Sequence, residues 1–329
     1  MKPTDFAKYM TEFLSVELPG QQGVSTNTIK SYRDTFTLLL NYCKEIQNIP
    51  IEKITIKHLD SELVTSFLNW LENERGNSTN TRNQRLAALH AFFRFLQAEE
   101  PKHLLQCQQI LAISTKKYSK AHIDYLTAEQ VTTMLAKPDL AKRSGRRDLL
   151  ILSMLYDTGA RVSELIDLNV RDVRLEDSPI VTLNGKKGNK LRQVPLMKQT
   201  AVMLRDYLKA HNLITPQTLD HPLFFNNQGT RFTRPGITYI LQKYCGSSKI
   251  TPHVLRHTKA MHLLQSGVNI IYIRDILGHV DLKTTEIYAR ADTEMKREAM
   301  QNVYKDLLPK ATPNWNDDAS LMNWLHDLV

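Results

Sequence analysis

His253, Arg256, His257, His279 and Tyr288 all fall within residues 251–290, which read TPHVLRHTKAMHLLQSGVNIIYIRDILGHVDLKTTEIYAR. His253 and Arg256 are three apart and so share one face of a helix. An arginine fork grips two phosphate oxygens at once and never loses its charge. A tyrosine hydroxyl attacks phosphorus once its proton is removed and the developing charge is held. Imidazoles, a guanidinium and a phenol in this order point to phosphodiester chemistry rather than to a carbonyl or metal site. His253 and His257 also have metal-ligand spacing, but the zinc-protease form needs Glu directly after the first His, and Val254 stands there. No nearby cysteine or carboxylate completes a coordination shell, so no metal is expected. No Walker-type or dinucleotide-type glycine loop is present, so no cofactor is expected either.

Three short helices must carry these groups. Thr251 is an N-cap with Pro252 at the first helical position, and Gly267 follows the last periodic residue. Asn269 opens a second helix that Gly278 closes, leaving His279 just past a glycine C-cap. Asp281 opens a third, which carries Tyr288. Farther upstream, Thr158-Gly159-Ala160-Arg161-Val162-Ser163-Glu164-Leu165 places an arginine at a helix start. PIVTL at 179–183 and KLRQVPL at 190–196 alternate around a Gly-Lys-Lys-Gly-Asn turn, the signature of a β-hairpin. A lysine at that tip, set beside a phosphate, can protonate a departing oxygen.

The pattern His253-x-x-Arg256-His257, then Leu277-Gly278-His279, then Tyr288, preceded by the Arg161 phrase and the hairpin lysine, closely resembles the tyrosine recombinase (phage integrase) family. The resemblance implies a site-specific recombinase that cleaves and rejoins DNA through a 3′-phosphotyrosine, without metal or ATP. The implied catalytic set is Arg161, Lys187, His253, Arg256, His279 and the nucleophile Tyr288, with His253 taking the tyrosine proton. Lys187 aligns best with the family's Gly-Lys-Gly-x-Lys phrase, and Lys186 is its competitor. Glu164 is expected to support the site from behind, and His257 is ranked below His253 in a supporting place. Lys186, Lys190 and Arg192 are expected to hold the DNA backbone. A type IB topoisomerase shares the tyrosine chemistry, and a DNA-binding protein without catalysis is the non-enzyme alternative. The compact two-domain build and the HxLRH–LGH–Y phrase favour the recombinase.

With 329 residues, the chain is long enough for two cores. Residues 1–110 form four helices with short links, read as a helical domain. The first stops before Pro19-Gly20, the second starts near Ser25-Thr26, the third spans about 58–74, and the fourth runs from Ser78-Thr79 to Pro101. Asn27, Lys30, Ser31 and Arg33 begin one helix, and Asn80, Arg82, Asn83 and Arg85 begin another. Taken alone these are two solvated helix starts. The resemblance makes the domain the family's SAM-like core-binding module, with Lys30, Arg33, Arg82 and Arg85 on DNA. Residues 111–125 are basic and aperiodic, a linker.

Residues 126–308 form the catalytic domain, opened by a capping box at Thr127. It carries an apolar central helix ending at Gly159, a helix over 198–211, a short strand near 223–226 and a helix opened by Thr233. The fold class is mainly α with a small β-sheet, and Arg231 and Arg234 are further possible DNA contacts. In the tail, 309–329, Leu321, Trp324, Leu325 and Leu328 form an apolar stripe. That stripe suits either a cap on its own domain or docking on a neighbouring subunit, as C-terminal segments do in the family. The expected partners are double-stranded DNA and further copies of the chain, as a tetramer that passes through a Holliday junction.

The net charge of +9 permits a phosphate partner without demanding one. Cys43, Cys107 and Cys245 have no pairing spacing and read as reduced thiols. No apolar run reaches a membrane span, and MKPTDFAKYM lacks the apolar core of a signal peptide, so a cytoplasmic, nucleoid-associated protein is expected. The absence of a long arm-binding extension favours a Xer-like layout. Mobile-element integration, phage integration and chromosome dimer resolution all fit these features.

Overall fold

The computed structural model describes residues 3–21, 23–117, 124–185 and 190–279, with 285, 288, 323, 326 and 327 individually. Lys186, Lys187, the start of the third helix at Asp281, and the tail residues Leu321, Trp324, Leu325 and Leu328 lie outside the described residues. The chain divides into two compact units, Met1–Lys120 and Ala121–Val329. Among the described residues no helix is long and apolar enough to cross a membrane.

The first unit is built from α1 (Asp5–Glu12), α2 (Thr26–Glu45), α3 (Ser61–Asn73), α4 (Thr79–Glu99) and α5 (Leu104–Leu111). Side-chain caps set the starts: Ser25 accepts from Thr28 N, Asp60 from Leu63 N and Ser78 from Thr81 N. Because Asp60 is the cap, α3 starts later than the sequence suggested, after a 3-10 turn at Ile56–His58. The first helix also fails to stop before Pro19. Its turns continue as a π-helix over Phe13–Gln21, Pro19 included. Pro19 has no N–H to give to these turns, so the helix carries it at the expense of one backbone hydrogen bond. The gain is burial of Phe13 and Leu18, both fully enclosed. Phe13 meets Phe36 and Phe92 edge to face, with ring centroids 6.3 and 5.5 Å away. Burying each such ring stabilises by roughly 1.5–3 kcal/mol. A fifth helix, α5, was not anticipated. It buries Cys107 and Ile110, and Gln106 donates to the carbonyls of Ile56 (2.6 Å) and Leu59 (2.8 Å).

The second unit has α6 (Ala128–Ala136), α7 (Arg143–Thr158), α8 (Val162–Asp167), β1 (Val173–Arg174), β2 (Ile180–Gly185), β3 (Lys190–Pro195), α9 (Lys198–Ala210), α10 (Arg234–Cys245), α11 (Pro252–Gln265) and α12 (Ile270–Leu277). The strands form one antiparallel sheet in the order β1-β2-β3, with Leu183 opposite Arg192 and Val181 opposite Val194. Helix α7 is the core element: Leu150, Ile151, Leu152, Met154 and Leu155 are all buried. The capping box at Thr127 forms with Gln130. The strand expected near 223–226 does not. Leu223 N donates to the distant Leu168 O and Asn226 N to Thr230 O in a local turn, so this backbone is satisfied through isolated bridges rather than a ladder. Leu223 and Phe224 are buried all the same.

Candidate active site

The site gathers at helix ends. Helix α7 terminates at Gly159, whose φ of 57° is left-handed and suits a residue without Cβ. A Cβ there would also stand 2.7 Å from Leu277 Cδ2, so glycine lets the end of α12 approach the end of α7. Two residues on, Arg161 is the N-cap of α8. Its backbone N–H donates to Glu164 Oε2 (2.9 Å), and its guanidinium donates to Glu164 Oε1 (2.7 Å) and to the Gly278 carbonyl (3.3 Å).

Arg256 projects from α11 and is 4% exposed. It donates to the carbonyls of Gly159 and Leu277, each at 2.6 Å. These carbonyls are the unsatisfied groups that a helix leaves at its C-terminus. Each arginine is therefore held in part by neutral oxygens, and each keeps further N–H groups for a ligand. Burial, and then the neighbouring Arg161, lower the Arg256 pKa to about 10.

Arg192 departs from expectation. Placed on the DNA backbone by the sequence, it instead lies inside the second unit. It donates through Nη2 to Glu164 Oε2 (2.6 Å), through Nη1 to Oε1 (3.1 Å) and through Nε to the Ile276 carbonyl (2.8 Å). Glu164 is buried, which alone would raise its pKa. Arg192 and the donors of Arg161 outweigh burial and hold the carboxyl below its usual range. Glu164 thus ties β3 to α8, and the two arginines that it holds reach the end of α12.

The three imidazoles divide. His279 follows the α12 C-cap Gly278 (φ 65°) and its Nδ1 lies 2.8 Å from Thr285 Oγ1. Thr285 is buried, and nothing in the sequence marked it as a partner for His279. Burial, then Arg256 and Arg161, push the His279 pKa down to about 4. His257 Nδ1 lies 2.7 Å from the Tyr288 hydroxyl. His253 is exposed. Its ring is nonetheless partly desolvated, which with Arg256 and Arg161 lowers its pKa, while the pKa of His257 is lowered by burial, then by His253 and Arg256.

Tyr288 is 1% exposed. Its ring stacks on His279 at 6.3 Å between centroids and 17° between planes, and tilts against His257 at 5.5 Å. Burial raises its pKa to about 12, while Arg256 and Arg161 pull in the opposite direction. The structure therefore brings together Arg161, Arg256, His257, His279 and Tyr288, with Glu164 and Arg192 behind them. Among the described residues no group of three or more His, Cys, Asp or Glu is placed to hold a metal ion.

Several residues expected on DNA have structural partners instead. Arg82 is buried and donates to Asn83 Oδ1 (3.0 Å) and the Ser114 carbonyl (3.3 Å). Arg85 crosses from α4 to α2, donating to the Ser31 carbonyl (3.0 Å) and Thr35 Oγ1 (3.1 Å). Arg231 donates to the carbonyls of Ile166 (2.7 Å) and Leu168 (3.0 Å). Lys30 and Arg33 are exposed on α2, Arg33 beside Asp34 at 3.2 Å. A polar face on the first unit is formed by Asn80, Asn83, Gln84, Thr115, Lys116 and Lys117. Lys190 begins β3.

The chain can be set beside known proteins on this geometry. The pattern of the Phage integrase family matches residues 124–295, and that of its N-terminal SAM-like domain matches residues 11–100. The integrase/recombinase y4rC of Sinorhizobium fredii is 36% identical over 310 residues, covering 91% of this chain and 92% of that protein. Tyrosine recombinase XerD of Staphylococcus epidermidis is 33% identical over 297 residues, covering 88% and 95%. The Tn1549 transposon integrase, solved in complex with a circular intermediate DNA, superposes with a TM-score of 0.69 at 18% identity, covering 92% of this chain and 100% of that one. That likeness is one of fold. The chain belongs to the phage integrase family: it is a tyrosine site-specific recombinase, a DNA-binding enzyme that breaks and rejoins DNA strands.

Proposed function

We propose that Tyr288 is the nucleophile and that Arg161, Arg256, His253 and His279 hold the scissile phosphate. The observation that carries this reading is the setting of the Tyr288 hydroxyl. It sits among imidazoles, and both arginines act on its charge. Attack of the Tyr288 oxygen on phosphorus forms the new ester as the bond to the 5′-oxygen breaks. The guanidiniums and His279 stabilise the five-coordinate phosphorus, whose charge exceeds that of the diester. Lys187, in the segment joining β2 to β3, protonates the departing 5′-oxygen, with Lys186 as its competitor. The 3′-phosphotyrosine retains the ester energy, so rejoining needs no metal or ATP. Exchange between partner strands then proceeds by way of a Holliday junction in a tetramer.

In this reading residues 1–110 bind the core DNA site, 111–125 link, 126–308 catalyse, and 309–329 dock through Leu321, Trp324, Leu325 and Leu328 on a neighbouring subunit. Lys30, Arg33 and Lys190 contact the DNA backbone. The partner is double-stranded DNA, a reading supported by the DNA bound to the Tn1549 integrase. The test uses duplexes drawn from DNA flanking the gene, nicked near the crossover so that cleavage becomes irreversible, and denaturing gels. The wild type is expected to form a slow-migrating covalent complex without added metal, and Tyr288→Phe none. Tight binding without an adduct would leave a DNA-binding protein, and an adduct that survives Tyr288→Phe would move the nucleophile elsewhere.

A further inference from the structure

Activation of the tyrosine is a separate matter from holding the phosphate, and here the two α11 histidines are not equivalent. His253 and His257 lie one turn apart on the same helix. The hydrogen bond to the Tyr288 hydroxyl, at 2.7 Å, is made by His257. The phenol has one proton to give. Where its oxygen donates, Nδ1 of His257 must be an unprotonated acceptor and the ring must carry its proton on Nε2. A neutral His257 suits this arrangement, and its surroundings favour the neutral form. Burial, His253 and Arg256 all act in that direction. His279, stacked on the tyrosine ring, is a further titratable neighbour.

We propose that His257 Nδ1 takes the Tyr288 proton as the phenol oxygen attacks phosphorus, and returns it when the strands are rejoined. This rests on the assignment of Tyr288 as nucleophile. In the forward step the bond from the Tyr288 oxygen to phosphorus forms and the bond from phosphorus to the 5′-oxygen breaks. The phenol proton passes to His257, and a separate proton reaches the 5′-oxygen from the hairpin lysine. In the reverse step the imidazolium of His257 gives its proton back to the departing phenolate. The bound phosphate places a negative charge near His257 at the moment when its ring becomes cationic, which favours the transfer. Transfer concerted with attack also avoids a free phenolate in a buried site, where burial has already raised the phenol pKa to about 12.

The test follows covalent-adduct formation on a nicked core-site duplex with sulfur in place of the bridging 5′-oxygen. That leaving group departs without a proton, so the rate reports activation of the tyrosine. His257→Gln keeps a hydrogen-bonding group and removes the basic nitrogen. It is expected to slow adduct formation about 100-fold with unchanged duplex affinity. Its rate should also keep rising with pH, where that of the wild type levels off above the imidazole range. Lys187→Ala should be close to wild type on the sulfur substrate. A His257→Gln rate within threefold of wild type with the same pH profile would overturn the proposal. So would a faster rate, which would make the bond a way of holding the tyrosine in reserve. If no wild-type adduct forms, the assignment of Tyr288 fails; if a wild-type adduct forms equally fast in His257→Gln, only the role of His257 fails. Nitrogen NMR of the DNA-free protein checks the same point without catalysis: protonation of His257 on Nε2 is expected, and protonation on Nδ1 would overturn it.

Discussion

Arg192 and Glu164 face each other fork to carboxylate, with contacts of 2.6 and 3.1 Å, inside the second unit and behind Arg161. Glu164 also accepts from the Arg161 backbone and guanidinium, so removing either partner disturbs Arg161 as well. Arg192→Gln leaves a buried carboxylate short of charge, and such losses cost about 3–5 kcal/mol. Urea unfolding should show a loss of that order. Arg192→Lys should recover only part of it, because an ammonium cannot reproduce the fork. Little change in either variant would mean that the pair does not hold the site together.

Acid should destabilise the second unit through its histidines. The pKa values of His253, His257 and His279 are lowered, that of His279 to about 4. The unfolded chain binds these protons near the ordinary value of about 6.5. Between those limits the unfolded state holds more protons, so stability rises with pH. Full stability is therefore expected above about pH 6.5, with progressive loss towards pH 4, of which His279 contributes up to about 3 kcal/mol. Denaturant midpoints measured across this range should lose much of their slope in His279→Gln.

Gly159→Ala adds a Cβ where φ is 57° and Leu277 Cδ2 is 2.7 Å away. The left-handed backbone alone costs roughly 1–2 kcal/mol, and Leu277 must move in addition. The Gly159 and Leu277 carbonyls both hold Arg256, so adduct formation should fall more than stability does. Equal losses in the two measurements would argue against that coupling.

On the first unit, two basic residues should behave oppositely. Arg85→Ala removes the bridge between α4 and α2 and should lower stability by about 1–3 kcal/mol, leaving the salt dependence of DNA binding unchanged. Lys30→Ala should leave stability alone and reduce the slope of log affinity against log salt by about 0.9, the share of one phosphate contact. Thermal melts and binding titrations at several salt concentrations separate the two.

Caps and breakers were readable because their chemistry is local. Ser25, Ser78, Thr127, Thr233, Thr251 and Asn269 start helices where their side chains predict, and Gly159 and Gly278 end them. Long-range partners were not readable in that way. Arg192 read as a surface cation on a hairpin, yet strand alternation places it on the face of Val194, which is buried, while Leu191 between strands and solvent is 68% exposed. Arg82 likewise shares a helical face with the buried Leu86 and Leu89. Periodicity carried both signals, and the charge of the residues masked them. The choice between His253 and His257 could not be made from spacing at all, since both lie on one side of α11. It depends on where Tyr288 arrives from elsewhere in the fold.

Holding Arg256 by carbonyls rather than by a second carboxylate has a consequence for the charge of the site. Among the described residues Arg161 and Arg192 pair with Glu164 while Arg256 is held by carbonyls, and the nearby imidazoles are biased towards neutrality. Three guanidiniums and one carboxylate leave two uncompensated positive charges. A phosphodiester brings one negative charge, and the five-coordinate species formed by phenolate attack brings two. The resting cluster thus carries excess positive charge, the bound diester relieves half of it, and the phenol proton passed to His257 stays in the site as phosphorus gains its second negative charge.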